Sequence, residues 1–199
     1  TNPNTVNYSG AGVAQTIAGV APSTTLNFYN LTISGARAAT NVTLWNGGTI
    51  GVSNVLSLNA TFTTGNYVTA SNTFSFNGTN QNVPALISTI NVAYNNLTIA
   101  GGGIKSLTNA VTVGGILNLS PGILEIGNYN LTLTNSAAGA ITGAFDATHM
   151  ISTGGTGYLI KNAASSQALN PIGSNGFYTP MTLSSIAPNT GTYSIRAVP

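Results

Sequence analysis

The chain has 199 residues, 42% of them hydrophobic but only 3% charged, with a net charge of +2 and no cysteine. Its four cations, Arg37, Lys105, Lys161 and Arg196, are scattered and form no stripe to follow a phosphate backbone, which argues against nucleic-acid binding. The lack of Cys removes disulfide staples, thiolate catalysis and Cys-based metal sites.

No basic region with an apolar stretch follows Thr1-Asn2-Pro3-Asn4, and no long apolar run reads as a membrane-spanning helix. Strand patterning begins at Val6-Asn7-Tyr8-Ser9-Gly10, followed by Gln15-Thr16-Ile17. Asn30-Leu31-Thr32-Ile33-Ser34 alternates polar and apolar residues, as do Asn41-Val42-Thr43-Leu44 and Leu56-Ser57-Leu58-Asn59. The pattern returns at Thr73-Phe74-Ser75-Phe76-Asn77, Asn96-Leu97-Thr98-Ile99, Leu117-Asn118-Leu119-Ser120 and Asn130-Leu131-Thr132-Leu133-Thr134. Period-two alternation sends Leu, Ile, Val and Phe to one face and Thr, Asn and Ser to the other. Turn signals separate these segments, among them Gly47-Gly48, Asn77-Gly78, Gly101-Gly102-Gly103 and Pro121-Gly122. Strong helix formers are nearly absent, so no helix is expected.

The chain also repeats itself. Phe28-Tyr29-Asn30-Leu31-Thr32-Ile33-Ser34-Gly35 answers Tyr94-Asn95-Asn96-Leu97-Thr98-Ile99-Ala100-Gly101. Upstream, Val6 to Gly10 with Gln15-Thr16-Ile17 answers Phe74 to Gly78 with Gln81-Asn82-Val83. Downstream, Val42-Thr43-Leu44 answers Val111-Thr112-Val113, and Val55-Leu56-Ser57-Leu58 answers Ile116-Leu117-Asn118-Leu119. Two units of about residues 6–73 and 74–135 follow. Repetition of short strands favours a solenoid over a sandwich or barrel. The fold expected is therefore all-β: a β-helix-like solenoid over residues 1–136, with 137–199 forming a β-rich C-terminal cap or partial sandwich. In that tail Tyr158 to Lys161, Tyr178 to Leu183 and Thr192 to Arg196 read as strands, punctuated by Pro171, Pro180 and Pro188.

Tyr94 to Ile99, Lys105-Ser106-Leu107, Val111-Thr112-Val113, Ile116 to Leu119 and Leu124 to Leu133 occur in an order that resembles tandem segments of Bacteroidota-type extracellular repeat proteins. The tail, with Asn170-Pro171-Ile172-Gly173, Tyr178 to Leu183 and Gly191 to Arg196, is similar to a segment that follows such repeats. The resemblance implies a secreted or surface-attached, adhesin-like protein, and it carries over no catalytic residue.

Candidate chemistry is sparse. Glu125 and Asp146 are the only carboxylates, one per segment, and Glu125 should point outward alone. A carboxylate-pair enzyme is therefore not expected. Asp146-Ala147-Thr148-His149 holds the only His and reads as a polar loop rather than a metal site. A Lys–Asn crosslink at Lys105 or Lys161 has no support in spacing. Asn30/Thr32, Asn41/Thr43, Asn96/Thr98 and Asn130/Thr132 are possible glycan acceptors but read better as outward ladders or turn formers. Tyr8, Tyr29, Trp45, Tyr67, Tyr94 and Tyr129 are assigned mostly to the core or to strand edges, with sugar stacking as the alternative; the face of Trp45 is open.

The reading is of a non-enzymatic extracellular structural or adhesive protein without cofactor or metal, self-assembling head-to-tail into a surface filament. The alternative is a carbohydrate-binding module of a larger secreted protein. Partners would be further copies of the chain, a polysaccharide or a cell surface, with no nucleic acid and no membrane span. No polar cap is recognisable at either end, so unpaired strand edges are expected there. The assembly candidates are Asn4, Thr5, Val6, Asn7, Tyr8 and Ser9 on the donor side, and Thr192, Tyr193, Ser194 and Ile195 on the acceptor side.

Overall fold

A computed structural model describes residues 3–163, 168–184 and 191–198. The chain winds into a parallel β-solenoid of about seven turns, and among the described residues only Ala138–Ala140 are helical, as a single 3-10 turn. Coil 1 holds β1 (Thr5–Tyr8) and β2 (Gln15–Ile17), coil 2 holds β3 (Thr25–Ala38) and β4 (Val42–Leu44), and coil 3 holds β5 (Thr49–Phe62) and β6 (Tyr67–Val68). Coil 4 holds β7 (Thr73–Phe76) and β8 (Gln81–Val83) and carries a small hairpin of β9 (Leu86–Ile87) and β10 (Asn91–Val92). Coil 5 holds β11 (Asn96–Ile99), β12 (Ile104–Leu107) and β13 (Val111–Val113), and coil 6 holds β14 (Leu117–Leu119), β15 (Ile123–Glu125) and β16 (Leu131–Leu133). Coil 7 holds β17 (Ile141–Gly143), β18 (Ile151–Ser152) and β19 (Leu159–Asn162).

Parallel pairing does not stop where the repeated wording fades. Coil 7 keeps apolar residues at the inward places, with Ile141 beside Leu117, Ile151 beside Leu124 and Leu159 beside Leu131. A ladder needs only that alternation, so the solenoid runs on where the wording is lost. Beyond it lie β20 (Ala168–Asn170), β21 (Ile172–Ser174), β22 (Phe177–Tyr178), β23 (Met181–Leu183) and β24 (Thr192–Ile195). Strand β21 still pairs in parallel with β18, whereas β22, β23 and β24 pair antiparallel with β21, β20 and β19. Pro171 and Pro180 stand just before β21 and β23, where no ladder N–H is lost; Pro188 lies outside the described residues.

The core is the bore of the solenoid. Leu31, Ile33, Leu97, Ile99, Leu131 and Leu133 are fully buried, as alternation requires. Each such burial is worth roughly 1.5–3 kcal/mol. Thr32, Thr98 and Thr132 point outward yet are only half exposed, because equivalent side chains in the coils above and below flank them.

The two repeat units build the same corner. The Gln15 side-chain oxygen accepts from the Gly10 N–H at 3.1 Å, and the Gln81 oxygen accepts from the Gly78 N–H at 2.7 Å. Gly35 (φ 95°) and Gly101 (φ 74°) take left-handed conformations, and a Cβ on either would lie 2.2 or 2.1 Å from a carbonyl oxygen of the preceding coil. Only glycine fits there. The units are nevertheless joined out of phase. Residues Val6, Leu31 and Leu56 form one ladder. Their counterparts Phe74, Leu97 and Leu117 form another, which continues Leu26 and Ile50 from the front halves of β3 and β5. Leu131 belongs to a third, between Val111 and Leu159. Positions equivalent in sequence share the inward side but do not share one ladder.

Candidate functional site

The phase shift opens a cleft. Strand β5 is fourteen residues long, but β7 pairs only with its front, Thr49–Val52. Among the described residues, the one strand partner of β5 past Val52 is β3. Strand β8 passes next to the rear half of β5 without pairing and is the outer strand of its own sheet. At the apex the two chains touch: a Cβ on Gly78 would lie 1.9 Å from the Ser53 oxygen, and the Gln81 amide donates to Val52 O at 2.9 Å and Asn54 O at 3.1 Å. From there the strands diverge around an open cleft of about 660 Å³.

The cleft is lined by Asn54, Val55, Ser57, Asn59 and neighbours on one wall and by Asn80, Asn82, Ser106, Thr108 and Glu125 on the other. Val55 and Ile104 place exposed apolar surface at its mouth. Glu125 is its only charge, and its carboxylate accepts a 2.9 Å bond from the Ser106 hydroxyl, so it faces outward but not alone. No aromatic residue lines the cleft. Tyr67 and Tyr94 are buried, and Tyr29 and Tyr129 are exposed elsewhere. Trp45 lies partly buried over Gly19 and Gly48, where a Cβ would meet its ring at 2.2 Å.

In the four Asn-x-Thr segments named above, the Asn clamps successive coils. Asn30, Asn41, Asn96 and Asn130 accept through their side-chain oxygens from the backbone N–H of Val55, Asn66, Ile116 and Tyr158, at 3.2, 2.9, 2.8 and 3.0 Å. These donors sit 20 to 28 residues further on, one coil away. Side-chain amides thus satisfy backbone groups just before a strand at Asn66, Ile116 and Tyr158, and at the register shift between β3 and β5 at Val55.

Three of the four cations are folded inward, which the count of scattered charges did not anticipate. Arg37, Lys105 and Lys161 are fully buried. Each donates to backbone oxygens: Arg37 to Tyr8 O (2.5 Å) and Ser34 O (2.7 Å), Lys105 to Gly78 O (2.6 Å), Thr79 O (3.2 Å) and Gly102 O, and Lys161 to Asn135 O (3.2 Å) and Ala137 O (3.0 Å). Burial pulls the Lys105 ammonium down to about 8 and lowers Lys161 and Arg37 as well. The three carbonyl oxygens oppose that pull and hold Lys105 protonated at neutral pH. The Tyr67 phenol is pushed up to about 12 by burial, against the opposing charge of Arg37. A signal for the lysines was present: Lys105 shares the parity of inward Leu107, and Lys161 that of inward Leu159. Both are committed to coil-to-coil carbonyls rather than to a crosslink with Asn.

Asp146 and His149 lie together in an exposed turn. The Asp146 carboxylate accepts from the Thr148 N–H (2.6 Å), the Thr148 hydroxyl (2.7 Å) and His149 Nδ1 (2.8 Å). The Thr148 hydroxyl first, then His149, hold that carboxyl down at about 2. This is a self-contained loop closure. Among the described residues no three metal-ligating side chains gather, and no helix is long and apolar enough to cross a membrane.

The assembly candidates occupy outer strands. Thr5–Tyr8 form β1, first in the seven-stranded sheet, with Asn4 and Ser9 flanking it, and their one strand partner is β3. Thr192–Ile195 form β24, last in its sheet and paired with β19. The two segments belong to different sheets. Comparison with family models, with curated proteins and with solved structures finds no match for the chain.

Proposed function

We propose that the protein is a non-enzymatic, extracellular structural or adhesive rod that associates with copies of itself by strand addition into a filament at the cell surface. The observation that carries this reading is the set of outer strand edges: among the described residues β1 and β24 stand last in their sheets, and the rear of β5 has a strand partner on one side alone. Such edges template pairing unless charge, proline or a cover blocks them. Of the charged side chains only Arg196, Glu125 and Asp146 lie outside the buried set. A head-to-tail contact of this kind is heterologous and propagates.

Electron micrographs of the purified chain should show filaments of constant width, and light scattering should show mass growing with concentration. Removal of residues 1–9 should reduce the mass to that of a monomer while the β circular-dichroism signal persists. Glu125→Gln, Asp146→Asn and His149→Ala should leave association largely intact, since Glu125 accepts from the Ser106 hydroxyl and Asp146 and His149 pair with each other within their own exposed turn. Monodisperse particles at every concentration would overturn the assembly reading, and a hydrolytic activity abolished by one of the three substitutions would overturn the non-enzymatic one.

A further inference from the structure

The cleft between β5 and β8 is a gap in a ladder, and the chain contains a strand that matches it. In the second unit the ladder of Leu97 and Leu117 is continued by Ile141 in the next coil. In the first unit the corresponding ladder of Val6, Leu31 and Leu56 ends at Leu56 among the described residues. At its other end stands β1, whose Val6 and Tyr8 lie beside Leu31 and Ile33. Those two residues in turn lie beside Leu56 and Leu58. Val6 and Tyr8 are therefore spaced to lie beside Leu56 and Leu58 as well.

We infer that the cleft is the acceptor for β1 of a second molecule. Its Val6 would sit beside Leu56, Asn7 beside Ser57 and Tyr8 beside Leu58. The incoming strand presents to β5 the edge its own chain leaves unpaired, and turns the edge released from its own β3 toward β8. It exchanges one paired edge for two. Release is feasible, because β1 is half exposed along its length and the connector from Ala11 to Ala14 is exposed throughout. The polar outer residues of β1, Thr5 and Asn7, join a rim of amides and hydroxyls whose one charge is Glu125. The inference rests on strand addition as the mode of association and specifies its acceptor.

The chain's lack of Cys permits a direct test. A synthetic peptide of residues 3–10 carrying Asn7→Cys is mixed under oxidising exchange with the full chain carrying Ser57→Cys or Thr32→Cys. Disulfides form only between residues whose Cα atoms approach within about 7 Å. Crosslinking should be faster at Ser57→Cys by about tenfold or more, since Thr32 stays beside the chain's own Asn7. Because both edges of the guest pair, a peptide N-methylated at Val6 and Tyr8 and another N-methylated at Thr5 and Asn7 should each fail to crosslink. Melting curves of the two Cys variants establish that both fold. Crosslinking mainly at Thr32→Cys would mean exchange at β3 and would overturn the cleft as acceptor, as would full crosslinking by either N-methylated peptide. Concentration-dependent assembly with no crosslink at Ser57→Cys would overturn the acceptor alone and leave strand addition at the ends standing.

Discussion

Asn96 offers the sharpest test of what ties one coil to the next. Its side-chain oxygen accepts from the Ile116 N–H at 2.8 Å, while its amide nitrogen makes only a long 3.5 Å contact with the Thr73 hydroxyl. Asn96→Ala leaves the Ile116 N–H without its acceptor. A buried orphaned donor costs about 1–3 kcal/mol. Ile116 and Asn96 are half-buried, so water recovers part of that, and about 1–2 kcal/mol should remain. For a chain of this length the melting temperature should fall by about 2–8 °C. Asn96→Asp keeps an acceptor at the same place and should recover most of the loss. Solenoid coils can open individually, so the local readout is the more direct one. Hydrogen exchange at the Ile116 amide should quicken about 5- to 30-fold in the Ala variant, and much less in the Asp variant. If Ala and Asp variants exchange alike, or if neither differs from the parent, the amide clamp does not join the coils.

Leu97→Ala, which empties a fully buried place between Phe74 and Leu117, should cost about 2–5 kcal/mol in urea unfolding, against less than about 1 for Thr98→Ala; equal costs would refute the inward–outward register. Stability should rise as pH climbs from about 8 toward 10, because folded Lys105 gives up its proton near 8 while the unfolded side chain keeps its own to 10.5. The gain is at most about 3 kcal/mol, and Lys105→Met should flatten that limb. Above pH 10 the trend should reverse, since Tyr67 ionises freely only when unfolded and its folded value is about 12. A urea midpoint that falls between pH 8 and 10 would contradict the pH argument.

The strand set and the inward faces were legible because alternation is a local property: Leu31, Ile33, Leu97 and Ile99 declare their side by parity alone. Coil-to-coil stacking was legible only as repetition, and there the wording misled about register. The resemblance between Val6 and Phe74 describes how each strand is built, not which strand it stacks upon. Stacking is set by the length of the connecting strands, and the long β3 and β5 carry the second unit onto their front halves. The cleft follows from that offset and could not be read from composition. Burial of Lys105 and Lys161 was readable from parity, but a charge on an inward position is usually costly, and only the carbonyl oxygens of neighbouring coils make it tolerable. Those oxygens come from residues 24 to 27 positions away, beyond the reach of any local pattern.

The inward cations also change what the isoelectric point means. A sequence value near 9 suggests a basic particle, yet Arg37, Lys105 and Lys161 lie inside the bore. Arg196 is the only Lys or Arg side chain left outside them, its guanidinium over the Tyr158 ring, against Glu125 and Asp146 in the charge count. In colloid terms the particle has almost no zeta potential to lose. Added salt has little surface repulsion to screen, so cohesion between such rods should depend on shape and hydrogen bonding, and remain much the same in fresh water and in brine.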